Sequence, residues 1–169
     1  MKNLWAPWRI KYVKYKALVK NEGRKCFLCE IPKENRDKEN FIIYRGKHSY
    51  AVLNIFPYNN GHTLVAPYRH VVYLGELNEN EVLDLLNTLN LIVKAVLKAY
   101  RPDGFNIGIN IGKAAGAGEE HLHIHVVPRW HGDTNFMAVL AETKVIPEGI
   151  YDTYENMRKA IEETISSAT

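Results

Sequence analysis

Cysteine is scarce in this chain: 169 residues include only two, Cys26 and Cys29. One close pair cannot build the disulfide framework of a small secreted domain. No apolar run approaches the roughly 20 residues that span a bilayer, so no membrane helix is expected. The first residues carry Lys and Arg but no apolar h-region, so no signal peptide is expected either. These absences point to the cytoplasm. Charge of one sign is also in short supply, with a formal net charge of +3. That is too mild for a duplex nucleic-acid binder, yet it would not repel a polyanionic nucleotide. Internal repeats, low-complexity stretches and evident linkers are missing. What remains is ordinary for a soluble globular protein, with 46% hydrophobic and 24% charged residues. The length suits one domain with a real core. Its expected parts are an N-terminal arm over 1–20, a core over 21–150 and a C-terminal helix over 151–169.

The arm holds Trp5, Trp8, Tyr12 and Tyr15, which suits packing on the body or on a second subunit. Phe41–Tyr44 and Tyr50–Leu53 predict two strands joined at Gly46–Ser49 in a hairpin, and His62–Ala66 predicts a third. Residues 79–100 are the strongest helix. Val82, Leu85, Leu86, Leu89, Ile92, Val93, Val96, Leu97 and Tyr100 recur at helical spacing and give a wide apolar face. Asn78 with Glu81 reads as a capping box, and Arg101-Pro-Asp-Gly104 ends the helix. Phe105–Gly112 alternates strictly. Phe105, Ile107, Ile109 and Ile111 fall on one apolar face, as in a half-buried strand; Asn106, Gly108, Asn110 and Gly112 fall on a small polar face open to a ligand. A last helix is expected at about 152–166. The sum is an α+β domain with an antiparallel sheet of about five strands, one long central helix and a C-terminal helix.

His121-Leu-His-Ile-His125 is the richest stretch. Side chains alternate along a strand. His121, His123 and His125 then share one face, while Leu122, Ile124 and Val126 are buried on the other. Three imidazoles in a row are awkward as packing alone, because each needs partners for its ring nitrogens. Such a row suits work at a phosphate, with one nitrogen to attack and others to donate hydrogen bonds or bind metal.

The pattern His-φ-His-φ-His-φ-φ, with φ apolar, matches the signature of the histidine triad (HIT) superfamily throughout residues 121–127. Asn54–Pro67 resembles that family's nucleotide-binding strand pair, and Asn106–Gly118 its phosphate-side segment. Leu4–Arg9 and Val126–Phe136 resemble the branch containing diadenosine tetraphosphate phosphorylases. The resemblance covers roughly residues 4–150 and implies a HIT-like fold and a homodimer. It also implies transfer or hydrolysis of nucleotides through a nucleotidyl-histidine intermediate. By position His123 corresponds to the nucleophile, His125 to a residue at the α-phosphate and leaving group, and His62 to a histidine near both nucleophile and sugar. Asn54 corresponds to a nucleotide-pocket residue. Asn110 and the loop residues Gly116, Ala117 and Gly118 correspond to phosphate contacts, and this chain departs from the family there. Several hydrolases carry Gln where it has Asn110, and Gln-Ser or Gln-Thr where it has Ala117-Gly118. The third triad position is His rather than the Gln of the hexose-phosphate uridylyltransferase branch, which disfavours a sugar-phosphate transferase.

Cys26-Phe-Leu-Cys29 has the spacing of half a zinc site, and taken alone could equally be redox-active or a buried pair. Zinc-containing branches of the family add a histidine after the third strand and the first triad histidine. That implies a four-ligand structural zinc on Cys26, Cys29, His70 and His121.

The implied substrate is a nucleotide or dinucleoside polyphosphate such as diadenosine tetraphosphate, with no nucleic acid and no membrane as partner. Phosphate as acceptor would give ADP, and water would give AMP. A phosphoramidase cleaving nucleoside P–N bonds is the alternative within enzymes. A nucleotide-binding interaction protein, or less favourably a zinc-knuckle nucleic-acid binder, is the alternative outside them. Arg129 and Lys144 are candidate cations for polyphosphate or solvated charges. His48 and His131 have only proximity to motifs in their favour.

Overall fold

The computed structural model describes residues 25–133 and 145–167. The aromatic arm and Lys144 lie outside these residues. Five strands form one antiparallel sheet: β1 (Ile42–Arg45), β2 (Ser49–Leu53), β3 (Thr63–Pro67), β4 (Gly104–Ile109) and β5 (Ile124–Arg129). Their order is β1-β2-β3-β5-β4, so β5 is internal and β4 lies at an edge. His125 on β5 is flanked by Leu64 of β3 and Gly108 of β4. Among the described residues four α-helices accompany the sheet: α1 (Phe27–Glu30), α2 (Asp37–Asn40), α3 (Glu79–Tyr100) and α4 (Ile150–Ser166).

The capping box forms as expected. The Asn78 side chain accepts from the Glu81 N–H, and the Glu81 carboxylate accepts from the Asn78 N–H. Arg101 closes α3 in the left-handed region, ahead of Pro102. The helix crosses β2, β3 and β5, and α4 packs beside it and against β1. Leu85, Ile92, Ala95 and Val96 of α3 meet Ile42, Ala51, Val65 and Met157 in the core. The buried face is narrower than the sequence pattern, since Leu86 and Leu97 are exposed.

The sequence expectation for Phe105–Gly112 needs correction. β4 ends at Ile109; Phe105 and Ile109 pack against the core as the alternation requires, but Ile107 and Ile111 are exposed. The reason is position: β4 lies at a sheet edge, and Ile111 falls beyond its last residue. The triad strand also starts late, at Ile124. The N–H of Leu122 donates to Val71 O at 2.7 Å instead of entering the ladder. Leu122, Ile124 and Val126 are nevertheless buried as the alternation requires.

One carboxylate fastens the first hairpin to the long helix. Asp84 accepts from Lys47 N–H (3.3 Å), His48 N–H (2.9 Å) and Ser49 Oγ (2.7 Å), and Ser49 Oγ also meets Thr88 Oγ1 at 2.9 Å. Gly46 is demanded by space at this junction. A Cβ there would stand 3.0 Å from Asp84, from Thr88 and from the Ser49 carbonyl. A second fastening, Tyr50 Oη donating to Leu28 O at 2.7 Å, ties α1 and its cysteines to β2. No helix among the described residues is long and apolar enough to cross a membrane.

Removing the Asp84 carboxylate strands several donors at a packed junction. Asp84→Ala should lower the unfolding free energy by about 1–3 kcal/mol, measured by urea titration. An unmoved midpoint would mean the junction is held by packing alone.

Candidate active site

His121 is buried and its ring is fully committed. Nε2 donates to the Pro67 carbonyl at 2.9 Å, which leaves the Nδ1 lone pair directed elsewhere. Nδ1 lies 3.3 Å from Cys26 Sγ and 3.3 Å from Cys29 Sγ, and His70 Nδ1 lies 3.4 Å from Cys29 Sγ. All four ligand atoms fall within 4.8 Å of one another. Tetrahedral zinc bonds of roughly 2.0–2.3 Å imply ligand separations of about 3.5 Å, so the cluster has the size and donor set for such a cation. Without one, burial pushes the Cys26 thiol up to about 12, a cost that a bound cation would remove by holding the thiolate. The cluster draws on α1, the segment after β3 and the approach to β5, elements far apart in sequence.

Two residues on, His123 is buried and its Nδ1 donates to the His121 carbonyl at 2.6 Å. The remaining nitrogen, Nε2, therefore keeps its lone pair. A second chain of bonds fixes the neighbouring rings. The Tyr58 N–H donates to His62 Nδ1 at 3.1 Å, so His62 carries its proton on Nε2. That proton is shared with His125 Nδ1 at 3.0 Å, and a neutral His125 then carries its own proton on Nε2. Burial, assisted by the neighbouring histidines, holds His62 down at about 3 and His125 at about 4. Both are neutral near pH 7, as this assignment needs. The rings of His123 and His125 lie 4.9 Å apart. The site thus presents a lone pair on one imidazole beside an N–H donor on the next, an arrangement fit for nucleophilic attack with support of a departing anion.

Asn54 has two roles. Its Oδ1 accepts from the Phe56 N–H at 2.9 Å, making a turn, while its Nδ2 lies 3.4 Å from His62 Nδ1. Asn110 lines an open trough of about 520 Å³ that also reaches Tyr58, Asn106, Gly108, His125 and Arg129. Gly116, Ala117 and Gly118 are not among its lining residues. Their loop is braced on itself, with the N–H groups of Gly116 and Ala117 donating to Lys113 O and Gly112 O. Gly112 and Gly116 take positive φ there, which glycine tolerates.

Arg129 is not simply solvated. Nε and Nη2 donate to Asp133 at 2.6 and 2.8 Å, and Nη1 donates to Asn106 Oδ1 at 2.6 Å. Asp133 is held well below the usual carboxylate range by that guanidinium. The Asn59 amide joins in, donating to Asp133 at 2.7 Å and to Pro128 O at 2.9 Å. Sequence reasoning missed Tyr58, Asn59 and Asp133. The four-residue spacing of Arg129 and Asp133 was the only signal available. His48 serves the hairpin turn, and His131 pairs with Asp103 while 94% exposed, so neither belongs to the site.

The HIT domain family model matches residues 35–132. A relative described as AP-4-A phosphorylase, from Mycobacterium tuberculosis, is 41% identical over 159 residues, covering 90% of this chain and 80% of its own length. A bis(5'-adenosyl)-triphosphatase from Saccharomyces cerevisiae is 37% identical over 90 residues, covering 53% of this chain and 44% of its own. Among solved structures, a Zn-bound histidine triad family protein from Mycobacterium smegmatis superimposes with a TM-score of 0.70 at 29% identity, covering 86% of this chain and 98% of that one.

The depressed histidines set a pH dependence. Between their folded values near 3 and 4 and the ordinary 6.5, the unfolded chain binds protons that the folded chain refuses. Stability should be complete above about pH 6.5 and fall steadily toward about pH 4. Urea midpoints measured across that window should show the slope, and His62→Gln should flatten it. Parallel curves for the two proteins would contradict the assignment.

Proposed function

The chain belongs to the HIT family, and from that premise we propose that it cleaves dinucleoside polyphosphates of the diadenosine tetraphosphate class at an α-phosphorus, with phosphate as the preferred acceptor. The carrying observation is the 2.6 Å bond from His123 Nδ1 to the His121 carbonyl, which frees Nε2 for attack. In this reading Nε2 of His123 forms a bond to the α-phosphorus and the P–O bond to the leaving nucleotide breaks. The electron pair departs with that nucleotide as an anion, which takes a hydrogen bond from His125 Nε2–H. The His123 imidazolium formed on attack keeps its Nδ1 proton on the His121 carbonyl. Inorganic phosphate then attacks the same phosphorus, releases neutral His123 and gives ADP. Phosphate brings a nucleophilic oxygen that needs no base, whereas water must lose a proton. The relative described as a phosphorylase supports the same preference.

We further propose that Cys26, Cys29, His70 and His121 hold a structural zinc ion. Four protein ligands leave no open position, so the ion would supply rigidity and no Lewis-acid step. Its effect would pass through His121, whose ring is a ligand and whose carbonyl orients His123. Thiol ligands suit a reducing compartment such as the cytoplasm. The edge of β4, which has no partner strand on its outer side among the described residues, supports a homodimer built there, with Ile107 and the nearby Ile111 exposed.

Two measurements test these readings. Incubated with diadenosine tetraphosphate, the protein should give ADP and ATP only when phosphate is present, and His123→Ala should lower turnover by about 10³-fold or more while retaining ligand binding. AMP and ATP regardless of phosphate would make water the acceptor. No turnover would sink the dinucleotide reading and favour the phosphoramidase. Metal analysis should find about one zinc per chain. Cys29→Ser should lose the zinc and melt at lower temperature, and an unchanged melting curve with no metal bound would reject the site.

A further inference from the structure

We propose that the open trough beside the triad is a subsite for the leaving nucleotide. The Tyr58 ring would stack its base, and Arg129 with Asn106 would bind its distal phosphates. This rests on the dinucleotide reading above and adds to it a site for the second nucleoside.

Tyr58 is 59% exposed, although it stands against the buried His62. Its ring lies 4.7 Å from the His62 ring, and 6.2 Å from that of His125 with only 12° between their planes. The ring is therefore oriented by the histidines without being covered. Its backbone is fixed as well. The Tyr58 N–H is bonded to His62, and the adjacent Asn59 amide is tied to Pro128 O and Asp133. An aromatic held still and left open loses little freedom when a base stacks on it.

The floor of the trough is β4 and β5. His125, Val127 and Arg129 alternate onto one face, so Arg129 lies about 13 Å of strand beyond His125. That reach suits phosphates beyond the scissile bond rather than the α-phosphate at His123. Between them, Gly108 pairs with His125 and has open space where a Cβ would stand. A side chain there would fill the trough. The Arg129 guanidinium is held by Asp133 and Asn106, yet those bonds leave part of its donor set unspent. With Asp133 offsetting its charge, it acts as an aimed donor more than as a bare cation, which suits phosphate oxygens. The Tyr58 ring and Arg129 take no part in the attack by His123.

The test compares kcat/KM on diadenosine tetraphosphate with that on adenosine 5′-tetraphosphate, which has the phosphates but no second nucleoside. Tyr58→Ala should lose about tenfold more on the dinucleotide than on the mononucleotide. Tyr58→Phe should restore the difference, and Tyr58→Leu should not. Arg129→Lys should weaken both substrates through KM, since both carry distal phosphates. Equal losses of Tyr58→Ala on the two substrates, or full recovery by Leu, would overturn the stacking subsite while leaving the dinucleotide reading intact. Unchanged KM in Arg129→Lys would overturn the phosphate contact. Failure of the unaltered protein to cleave diadenosine tetraphosphate would overturn the underlying reading, and the subsite with it.

Discussion

A buried imidazole must place its one proton somewhere, and in this protein the backbone decides where. The His121 carbonyl takes the Nδ1 proton of His123, and the Pro67 carbonyl takes the Nε2 proton of His121. The Tyr58 N–H occupies the Nδ1 lone pair of His62. Each bond dictates what the opposite nitrogen can do. One imidazole is left with a lone pair toward the cysteines, the next with an unspent lone pair on Nε2, and a third with a donor. Burial keeps His62, His121 and His125 neutral by depressing them to about 3 or 4, so the pattern is stable around neutral pH. The rest of the fold serves to hold those carbonyls and amides in place.

The metal-type cluster and His123 are therefore parts of one device. His121 contributes its ring to the cluster and its carbonyl to His123, so a displacement of α1 would reach the His123 ring within two residues of chain. Tyr50, bonded to Leu28 O and stacked on Tyr68 at 5.3 Å, holds α1 against that displacement. On the opposite side of the triad, the Arg129–Asp133–Asn59 network does the same for the 57–60 loop, and through it for His62 and Tyr58. Both supports are polar groups satisfied by one another, the condition for burying them at small cost.

Much of this was legible in the sequence wherever the signal is local. The helix over Glu79–Tyr100 follows from its spacing and from Asn78 and Glu81, because a capping box is made by neighbours four residues apart at most. The alternation at 121–127 correctly buried Leu122, Ile124 and Val126. The reading failed where strand order mattered. Ile107 and Ile111 alternate like core residues, yet β4 lies at a sheet edge and Ile111 beyond its end, and no periodicity in one strand reports which neighbours it has. Resemblance carried the metal cluster further than spacing did, since only the fold brings Cys26 and Cys29 to His70 and His121.

The sequence by itself determined the chemical inventory: a row of three histidines at two-residue spacing, a close cysteine pair, a small polar face on Asn106–Gly112 and too little charge for a duplex binder. These are properties of residue type and period, which act over a few residues. Tertiary structure alone decided which nitrogen of each histidine is available, because that depends on carbonyls and amides delivered from other elements. It also decided that Tyr58 stays exposed beside His62 and that Arg129 is pinned by Asp133 and Asn106. Directional hydrogen bonds across the sheet fix those outcomes, and their partners meet only once the chain has closed on itself.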